Sequence, residues 1–388
     1  MLFLFIFLCL SIMSLISLYL NKRYEKISLI VFFFLFLFSS FRYSLGSDYF
    51  SYAYIYEVMP YNILRAITAE IHSEVGFKFI IVLFKNLGIT YPIFLSVVSL
   101  LVLFLFGKVI VKESKYPLVS IQIFYSTYYL IYLNSSIRQA IAMGIVFYSF
   151  HQFYLRNRHK EFIGSVIIAT SMHVTALFIL LIYISMFFYR KIILEKKYKI
   201  IKLSLIVYSL AVVILNVTDI PYFILITTFN IKRLESYLTS NISLLSLFSK
   251  LLFFIIISLI YFYNKKDSSE TIKKYYIIYV TGMLVYFLSM SAPISSRILE
   301  YFTMFEIMLI PWIISYKKIN RKKMNIYGII TFLSLIILVK DLNSFTYQEN
   351  YIKKGMINYK YFTVFNKEKI HEYKEMDVYL EILNNIQK

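Results

Sequence analysis

The sequence has few of the residues that build disulfide frameworks or metal centres. Cys9 is the single cysteine among 388 residues, so no intrachain disulfide forms. No group of histidine and cysteine residues has metal-ligand spacing. There is also no Walker sequence, no glycine-rich nucleotide loop and no pair of adjacent aspartates that would hold a metal–nucleotide sugar. We therefore expect no metal and no cofactor, and a substrate that brings its own leaving group.

The chain also lacks a signal-peptidase cleavage site. Residues 1–20 are apolar, but no basic residue precedes the apolar run and no A-x-A-like sequence follows it, which favours a retained first membrane span. Apolar residues make up 60% of the chain. Several uncharged runs approach or exceed the roughly 17–25 residues that span a bilayer. This composition predicts an all-α fold, a polytopic helical bundle integral to a membrane.

The net charge of +20 is concentrated in short turns between the apolar runs. Six turns hold 24 of the 41 Lys and Arg residues and six acidic residues, and they lie at 21–27, 108–116, 156–161, 190–202, 264–274 and 317–323. The positive-inside rule places such alternate basic turns in the cytoplasm. The charge therefore indicates membrane topology and not a nucleic-acid partner.

With these turns in the cytoplasm, the apolar runs predict about twelve passes, two of them short, and both termini outside. Residues 1–340 form the membrane domain in this interpretation, with external loops at 42–76 and 218–243. Residues 341–388 form an extracytoplasmic polar tail, in which 366–386 can form a surface helix.

Two segments do not fit a simple span. Residues 76–87 are apolar but short, and Lys78 and Lys85 share one helical face, which suits an interfacial or re-entrant helix. Residues 162–189 lie between two basic turns, so the chain must leave the cytoplasm and return. We favour two half-length helices hinged at 171–173 over one tilted helix, which would place the next basic turn outside.

Under this topology five polar residues from separate parts of the chain reach the external face: Arg42, Asp48, Arg138, His173 and Arg297. Charged or titratable groups so close to hydrocarbon are costly and mark functional sites by default. The topology was derived from the basic turns alone, so this convergence is independent support for a site. The structural alternatives are an interfacial Arg–Asp pair, an arginine snorkelling to lipid headgroups and a packed polar histidine.

Local sequence suggests how these side chains are held. Gly46 permits a tight turn that returns Asp48 towards Arg42. Arg138 lies in the first turn of a helix, where unpaired backbone N–H groups and the helix dipole favour an anion. Glu300 lies one turn beyond Arg297 and is its expected partner.

The residue types indicate a site for a multiply charged anion such as a diphosphate. Arginine binds phosphate oxygens through two N–H groups at once and stays charged when partly desolvated. Histidine is a suitable general base, so we expect His173 to take a proton, with Asp48 as the second choice.

The same residues resemble a known family. The segments that carry the resemblance are Arg42-x3-Gly46-x-Asp48-Tyr49-x2-Tyr52, Glu74-x-Gly76-Phe77, Ile137-Arg138-Gln139-Ala140-Ile141-Ala142, Met172-His173-x-Thr175-Ala176-Leu177 and the aromatic stretch around Tyr361. In order and spacing they look like the EpsG family of exopolysaccharide biosynthesis proteins, which is grouped with the Wzy-type polymerases of O-antigen and capsule assembly. A proline expected in the final aromatic stretch is missing here.

The resemblance implies a GT-C-like or Wzy-like bundle in the bacterial cytoplasmic membrane, with its active site facing outside. It implies a metal-independent glycosyltransferase that polymerises undecaprenyl-pyrophosphate-linked oligosaccharide. Membrane lipid, a chain-length regulator and a flippase of the same pathway are the expected partners. On this reading the catalytic residues are His173, Asp48 and Arg138, and the substrate-binding residues are Arg42, Arg297, Glu74, Tyr49, Tyr52 and Gln139, with Tyr56 as a further aromatic. A lipid-linked oligosaccharide flippase and a membrane acyltransferase are the alternatives.

Overall fold

The structure, a computed structural model, describes residues 2–71, 73–195, 244–264, 269–288, 292–315, 320–344, 346–349, 352–355 and 361–365. The α-helices of its first part are α1 (Leu2–Tyr19), α2 (Glu25–Ser40), α3 (Tyr49–Val58), α4 (Ile63–Thr68), α5 (Val75–Asn86), α6 (Tyr91–Glu113), α7 (Pro117–Phe124), α8 (Ile137–Gln152), α9 (His159–Met172) and α10 (Leu181–Glu195). A π-helix (Tyr125–Leu133) continues α7, and short 3₁₀ helices (Tyr154–Arg156 and Val174–Leu180) follow α8 and α9.

The later described helices are α11 (Leu244–Asn264), α12 (Glu270–Leu288), α13 (Ala292–Thr303), α14 (Glu306–Ser315) and α15 (Asn320–Ser344). Two small antiparallel sheets join the strands β1 (Arg42–Tyr43) with β4 (Phe362–Thr363) and β2 (Thr346–Glu349) with β3 (Ile352–Gly355). The all-α prediction is correct for the body of the molecule. It omitted these strands, which pair the backbone of segments outside the helices.

The helix boundaries follow local sequence signals. Pro92 is the second residue of α6 and Pro117 the first of α7, the positions at which a missing N–H costs a helix nothing. Asn21 and Asn157 have φ of 53° and 61° in the turns after α1 and α8, a left-handed conformation that asparagine tolerates better than most residues.

Three described helices are long and apolar enough to cross a membrane: Leu2–Tyr19, Tyr91–Glu113 and Lys323–Asn343. The pair Ser296–Thr303 and Glu306–Ser315, bent by 40°, makes a fourth if it counts as one broken span. The count of about twelve passes, the GT-C-like architecture and the domain boundary at residue 340 stay predictions. The predicted span 203–217, the external loop 218–243 and the surface helix 366–386 lie outside the described residues.

The helix interruption predicted at 171–173 is confirmed. The α-helix α9 ends at Met172, and His173 has an extended backbone with φ −154° and ψ 117° before a 3₁₀ helix begins at Val174. A residue in this conformation cannot continue an α-helix.

The chain divides into two compact units, residues 1–174 with 317–388 and residues 175–316. In the first unit, α15 returns from the end of the chain to pack on α1 and the π-helix. A polar seam joins these helices, because the Tyr327 hydroxyl lies 2.7 Å from both the Ser11 carbonyl oxygen and Gln122 Oε1 and can donate its one hydrogen to either. Inside a bilayer such interhelical bonds contribute roughly 0.6–2 kcal/mol each.

Three predicted basic turns meet at one end of the first unit. Lys323 Nζ donates to the Leu18 carbonyl at 3.2 Å and to the Tyr116 hydroxyl at 2.6 Å, and Arg23 donates to the Val111 carbonyl at 2.8 Å. Cations near the C-termini of α1 and α6 also complement the helix dipoles. The shared position is what the topology predicts for turns on one side of a membrane.

Candidate functional site

The candidate site lies at the opposite end of the first unit, where α2 and the π-helix end and α8 begins. Its centre is an ion pair between Arg138 Nη1 and Glu74 Oε2, 2.6 Å apart, with side chains 18% and 21% exposed. Arg138 Nε also donates to the Tyr52 hydroxyl at 3.2 Å, and its guanidinium lies 5.7 Å from the centre of the Tyr52 ring. Glu74 and the hydroxyl and ring of Tyr52 therefore hold the Arg138 guanidinium, and the ion pair remains partly exposed to solvent.

Glu74 connects this ion pair to the break after α9. It directly precedes α5, and its Oε1 accepts a hydrogen bond from the Val174 N–H at 3.4 Å. His173, the residue before, is 7% exposed and interacts with other residues of the chain. The structure thus brings Arg138, Glu74, Tyr52 and the backbone beside His173 together, although they come from four separate segments of the sequence.

Gly76 explains the Glu-x-Gly spacing. A Cβ atom at this position would lie 2.3 Å from Ser171 Oγ and 2.8 Å from the Ser171 carbonyl oxygen, closer than real Cβ contacts allow. Only glycine lets the start of α5 approach the end of α9 this closely. The motif therefore places the Glu74 carboxylate against the break in the helix.

We predict that Gly76→Ala separates α5 from α9 and weakens the Glu74 contact with Val174. The variant should have a lower unfolding temperature than the parent chain. Gly164→Ala is the matched control, because Gly164 also lies in a helix and a Cβ there meets nothing within 4 Å. Alanine favours helices over glycine by roughly 1 kcal/mol, so the control should be neutral or stabilising. Equal melting temperatures for the two variants would contradict the packing role.

The turn at Gly46 packs on the residues before α8. Gly46 has φ +110°, and a Cβ there would lie 2.0 Å from the Asn134 carbonyl oxygen. The Ser47 N–H donates to Ser135 Oγ at 3.1 Å. Among the described residues Asp48 and Arg42 form no ion pair, and the predicted return of Asp48 towards Arg42 stays a prediction.

Asp48 lies close enough to Tyr52 to act on it electrostatically. Burial raises the pKa of the Tyr52 phenol, Arg138 opposes that rise, and the charges of Asp48 and Glu74 add to it. Asp48 Oδ1 also accepts a hydrogen bond from Ser47 Oγ at 3.0 Å. Two acidic groups and one arginine therefore act electrostatically on a single tyrosine hydroxyl.

Arg42 lies apart from this ion pair, in the interior of the first unit. It is 2% exposed. Its Nη1 donates to the Ser39 carbonyl at 2.7 Å and to Ser99 Oγ at 3.2 Å, and its Nη2 donates to the Leu133 carbonyl at 3.1 Å. The sequence placed Arg42 at or near the external face, in an outward-facing pocket, whereas the structure buries its guanidinium among helix-end carbonyls and serines.

Three predicted binding residues are also buried. Tyr49 is 3% exposed and packs edge-on against Tyr91, with ring centroids 5.4 Å apart. The Tyr56 hydroxyl donates to the Ile89 carbonyl at 2.5 Å, and Gln139 is 1% exposed. These contacts support the loop around α3 and the start of α8, and the assignment of the three residues to substrate binding stays a prediction.

Sequence reasoning did not find the role of Lys78 and Lys85. Lys78 is 4% exposed and its Nζ donates to the Ala69 carbonyl at 2.8 Å, at the end of α4. Lys85 Nζ donates to the Glu57 and Met59 carbonyls, each at 2.8 Å, at the end of α3. The shared helical face was visible in the spacing, but it binds the ends of two short helices, where cations complement the dipole.

A second polar cluster lies in the other unit. Glu300 accepts hydrogen bonds from Lys250 Nζ and from the Thr303 hydroxyl, each at 3.3 Å. Glu300 was expected beside Arg297, whose side chain is exposed on the preceding turn of α13. Glu306 is 4% exposed. The prediction that Arg297 joins the same site as Arg138 stays a prediction.

These features define a class: a helical membrane protein with an arginine–carboxylate site where several helices end. The EpsG family model matches residues 25–361. The chain therefore belongs to the EpsG family, and this confirms the resemblance seen in its motifs. Membership makes it a membrane protein of the polysaccharide-polymerase type. No curated protein and no solved structure gives a significant match to the chain.

Proposed function

We propose that the chain polymerises lipid-linked oligosaccharide repeat units at the outer face of the bacterial cytoplasmic membrane. The donor is a glycan on undecaprenyl pyrophosphate, and the acceptor is a hydroxyl of a second lipid-linked repeat unit. The observation that supports this most directly is the partly exposed Arg138–Glu74 pair at the start of α8. An arginine in that position joins its own charge to the positive end of a helix, which suits a diphosphate.

In this mechanism the acceptor oxygen attacks the anomeric carbon of the donor, and the bond from that carbon to the pyrophosphate oxygen breaks. Arg138 stabilises the negative charge that develops on the departing undecaprenyl pyrophosphate. His173, or Asp48 as second choice, takes the proton from the acceptor hydroxyl. Arg297 is the proposed second arginine of the site.

Glu74 has a separate role, because it competes with the diphosphate for Arg138. In the absence of substrate it holds the guanidinium in place at 2.6 Å. An incoming diphosphate displaces the carboxylate, which is then available to accept a hydrogen bond from a sugar hydroxyl of the acceptor.

We predict that Glu74→Gln strengthens donor binding and slows turnover. A partly exposed ion pair contributes up to about 1 kcal/mol, so the apparent KM for the donor should fall by no more than about fivefold. Because glutamine accepts hydrogen bonds more weakly than carboxylate, kcat should fall as well. Steady-state kinetics with purified lipid-linked repeat units separate the two effects. A raised KM would contradict the competition with Arg138.

The test of the function is deletion of the coding sequence followed by sizing and localisation of lipid-linked glycans. Loss of a polymerase should leave single repeat units at the outer face, where an externally added glycosidase or lectin reaches them. Single units confined to the inner face would indicate a flippase instead. Long glycans of normal size but altered acylation would indicate an acyltransferase.

A further inference from the structure

Arg42 is a buried cation with neutral partners. Its recorded hydrogen bonds go to the Ser39 carbonyl and hydroxyl, the Ser99 hydroxyl and the Leu133 carbonyl. Among the described residues, no carboxylate forms an ion pair with it. A buried charge without a counter-charge is costly. An anion bound beside Arg42 would therefore balance its charge.

Two buried donors, on side chains that both contact Ser39, lack an acceptor within the part of the chain that the structure describes. They are Arg42 Nε and Asn134 Nδ2. Ser39 joins the two side chains through their other polar atoms, since its Oγ accepts from Arg42 Nη1 and donates to Asn134 Oδ1 at 3.4 Å. A buried N–H without an acceptor costs roughly 1–3 kcal/mol and is rare in native proteins. Unused donors beside an unbalanced positive charge are what an oxyanion needs.

A short segment from the end of the chain closes this site. In the β1–β4 pair Thr363 lies opposite Arg42, and the Val364 N–H donates to the Phe41 carbonyl at 3.0 Å. The Tyr361 ring stacks on Phe38 with centroids 4.4 Å apart. Residues 361–365 therefore lie directly over the backbone that carries Arg42.

This cover is small. Its ladder has two residue pairs, Phe362 is its one buried apolar side chain among the described residues of the segment, and Phe365 is 80% exposed. Two-stranded ribbons are marginal in stability, and segments with few buried contacts open at low free-energy cost. The cover can therefore leave without unfolding the helices below it.

We propose that residues 361–365 are a removable cover over an anion site built from Arg42 and Asn134, and that this site takes a diphosphate when the cover lifts. The proposal rests on the polymerase function, because the lipid-linked donor and the released lipid carrier both present a diphosphate at this face. It gives the site a second phosphate-binding position besides Arg138, and it makes access to that position depend on the end of the chain.

The experiment locks the cover with a disulfide. In a Cys9→Ser background, Tyr43→Cys and Phe362→Cys place two cysteines directly opposite each other in the β1–β4 register. The full chain is purified into lipid nanodiscs, and its affinity for inorganic pyrophosphate is measured in the oxidised and the reduced form. We expect oxidation to weaken binding at least tenfold and reduction to restore it.

A second cross-link in the same part of the chain is the matched control. Tyr347→Cys and Lys354→Cys are also directly opposite each other, in the β2–β3 pair. Oxidation of this pair should leave pyrophosphate affinity unchanged. A loss of affinity here as well would overturn the proposal, since oxidation itself would then explain the effect.

Substitution of the cation tests the site itself. In the reduced double-cysteine chain, Arg42→Gln should weaken pyrophosphate binding as much as the oxidised disulfide does, and Arg42→Lys should retain part of it. The Arg42→Lys variant is also the safeguard against misfolding. It keeps the positive charge, so its affinity can still be measured if the Gln variant fails to insert. Equal affinity of the oxidised and reduced forms, or full binding by the Gln variant, would overturn the proposal and leave Arg42 as a structural residue beside an ordered water.

The outcome is separable from that of the polymerase hypothesis. The binding assay requires no glycan synthesis, and the deletion assay requires no pyrophosphate binding. Cover-dependent binding without accumulation of single repeat units on deletion would keep the site and reject the polymerase. Accumulation of single units without cover-dependent binding would keep the polymerase and reject the anion site.

Discussion

Arg138→Ala should collapse the polysaccharide ladder to single repeat units while the protein still inserts in the membrane. The substitution removes the guanidinium that binds Glu74 at 2.6 Å and the Tyr52 hydroxyl at 3.2 Å. Loss of one preorganised donor to a developing negative charge typically costs about 100- to 1000-fold in kcat. Electrophoresis of glycans from cells that carry the variant as their only copy measures the effect.

Two companion variants distinguish loss of the charge from loss of the fold. Arg138→Lys keeps the positive charge but loses the planar fork, so it should give short ladders rather than none. Tyr52→Phe removes the hydroxyl that accepts from Arg138 Nε and keeps the ring that packs on Phe77, with centroids 5.7 Å apart. It should reduce chain length only moderately. Normal long chains from Arg138→Ala, with protein levels equal to the parent, would refute the role of Arg138.

The helices and the break at His173 could be predicted because their causes are local. Apolar runs bounded by basic turns predict helices, and two basic turns on either side of one apolar stretch predict an interruption within it. The basic turns also placed Arg138 and His173 at one face, and the structure links Arg138 to the backbone beside His173. In the structure the contact between them passes through Glu74 and Val174.

Other features could not be predicted because they depend on partners far away in the sequence. The pairing of β1 with β4 joins segments more than 300 residues apart, and strands of two residues carry no pattern of their own. Arg42 lies at the predicted end of α2. Its burial, however, depends on where Ser99 and the Leu133 carbonyl come to lie in three dimensions. Spacing along the chain places a side chain near a membrane surface, but it does not tell whether protein or substrate surrounds it.

Lys78 shows the same limit in a single residue. Its seven-residue spacing from Lys85 predicted a charged helical face, which suits an interfacial or re-entrant helix. In the structure both amines bind backbone carbonyls at the ends of α3 and α4. The face of α5 that carries Phe79 and Leu83 is apolar and about half exposed instead. This arrangement agrees with an interfacial helix. Its two lysines, however, bind carbonyls of the protein itself.

Gly46→Ala should disrupt the site as strongly as removal of a charged group, although Gly46 carries no chemistry. Two costs add at this position. The backbone has φ +110°, and the new Cβ would lie 2.0 Å from the Asn134 carbonyl oxygen. That oxygen belongs to the backbone and cannot rotate away, so the turn must leave the residues before α8. We expect loss of the Ser47–Ser135 hydrogen bond, misplacement of Asp48 and Tyr52, and glycan chains reduced to a few repeat units.

Gly88→Ala separates the two costs. Gly88 also has a positive φ, +70°, but a Cβ there meets nothing within 4 Å. Its substitution should cost only the roughly 1–2 kcal/mol of a left-handed non-glycine residue and leave glycan length unchanged. If both alanine variants lower the unfolding temperature equally and neither shortens the glycan, the contact between the Gly46 turn and Asn134 does not position the site. A large loss of chain length confined to Gly46→Ala would mean that the close approach of two backbones, and not conformational freedom alone, is what glycine supplies there.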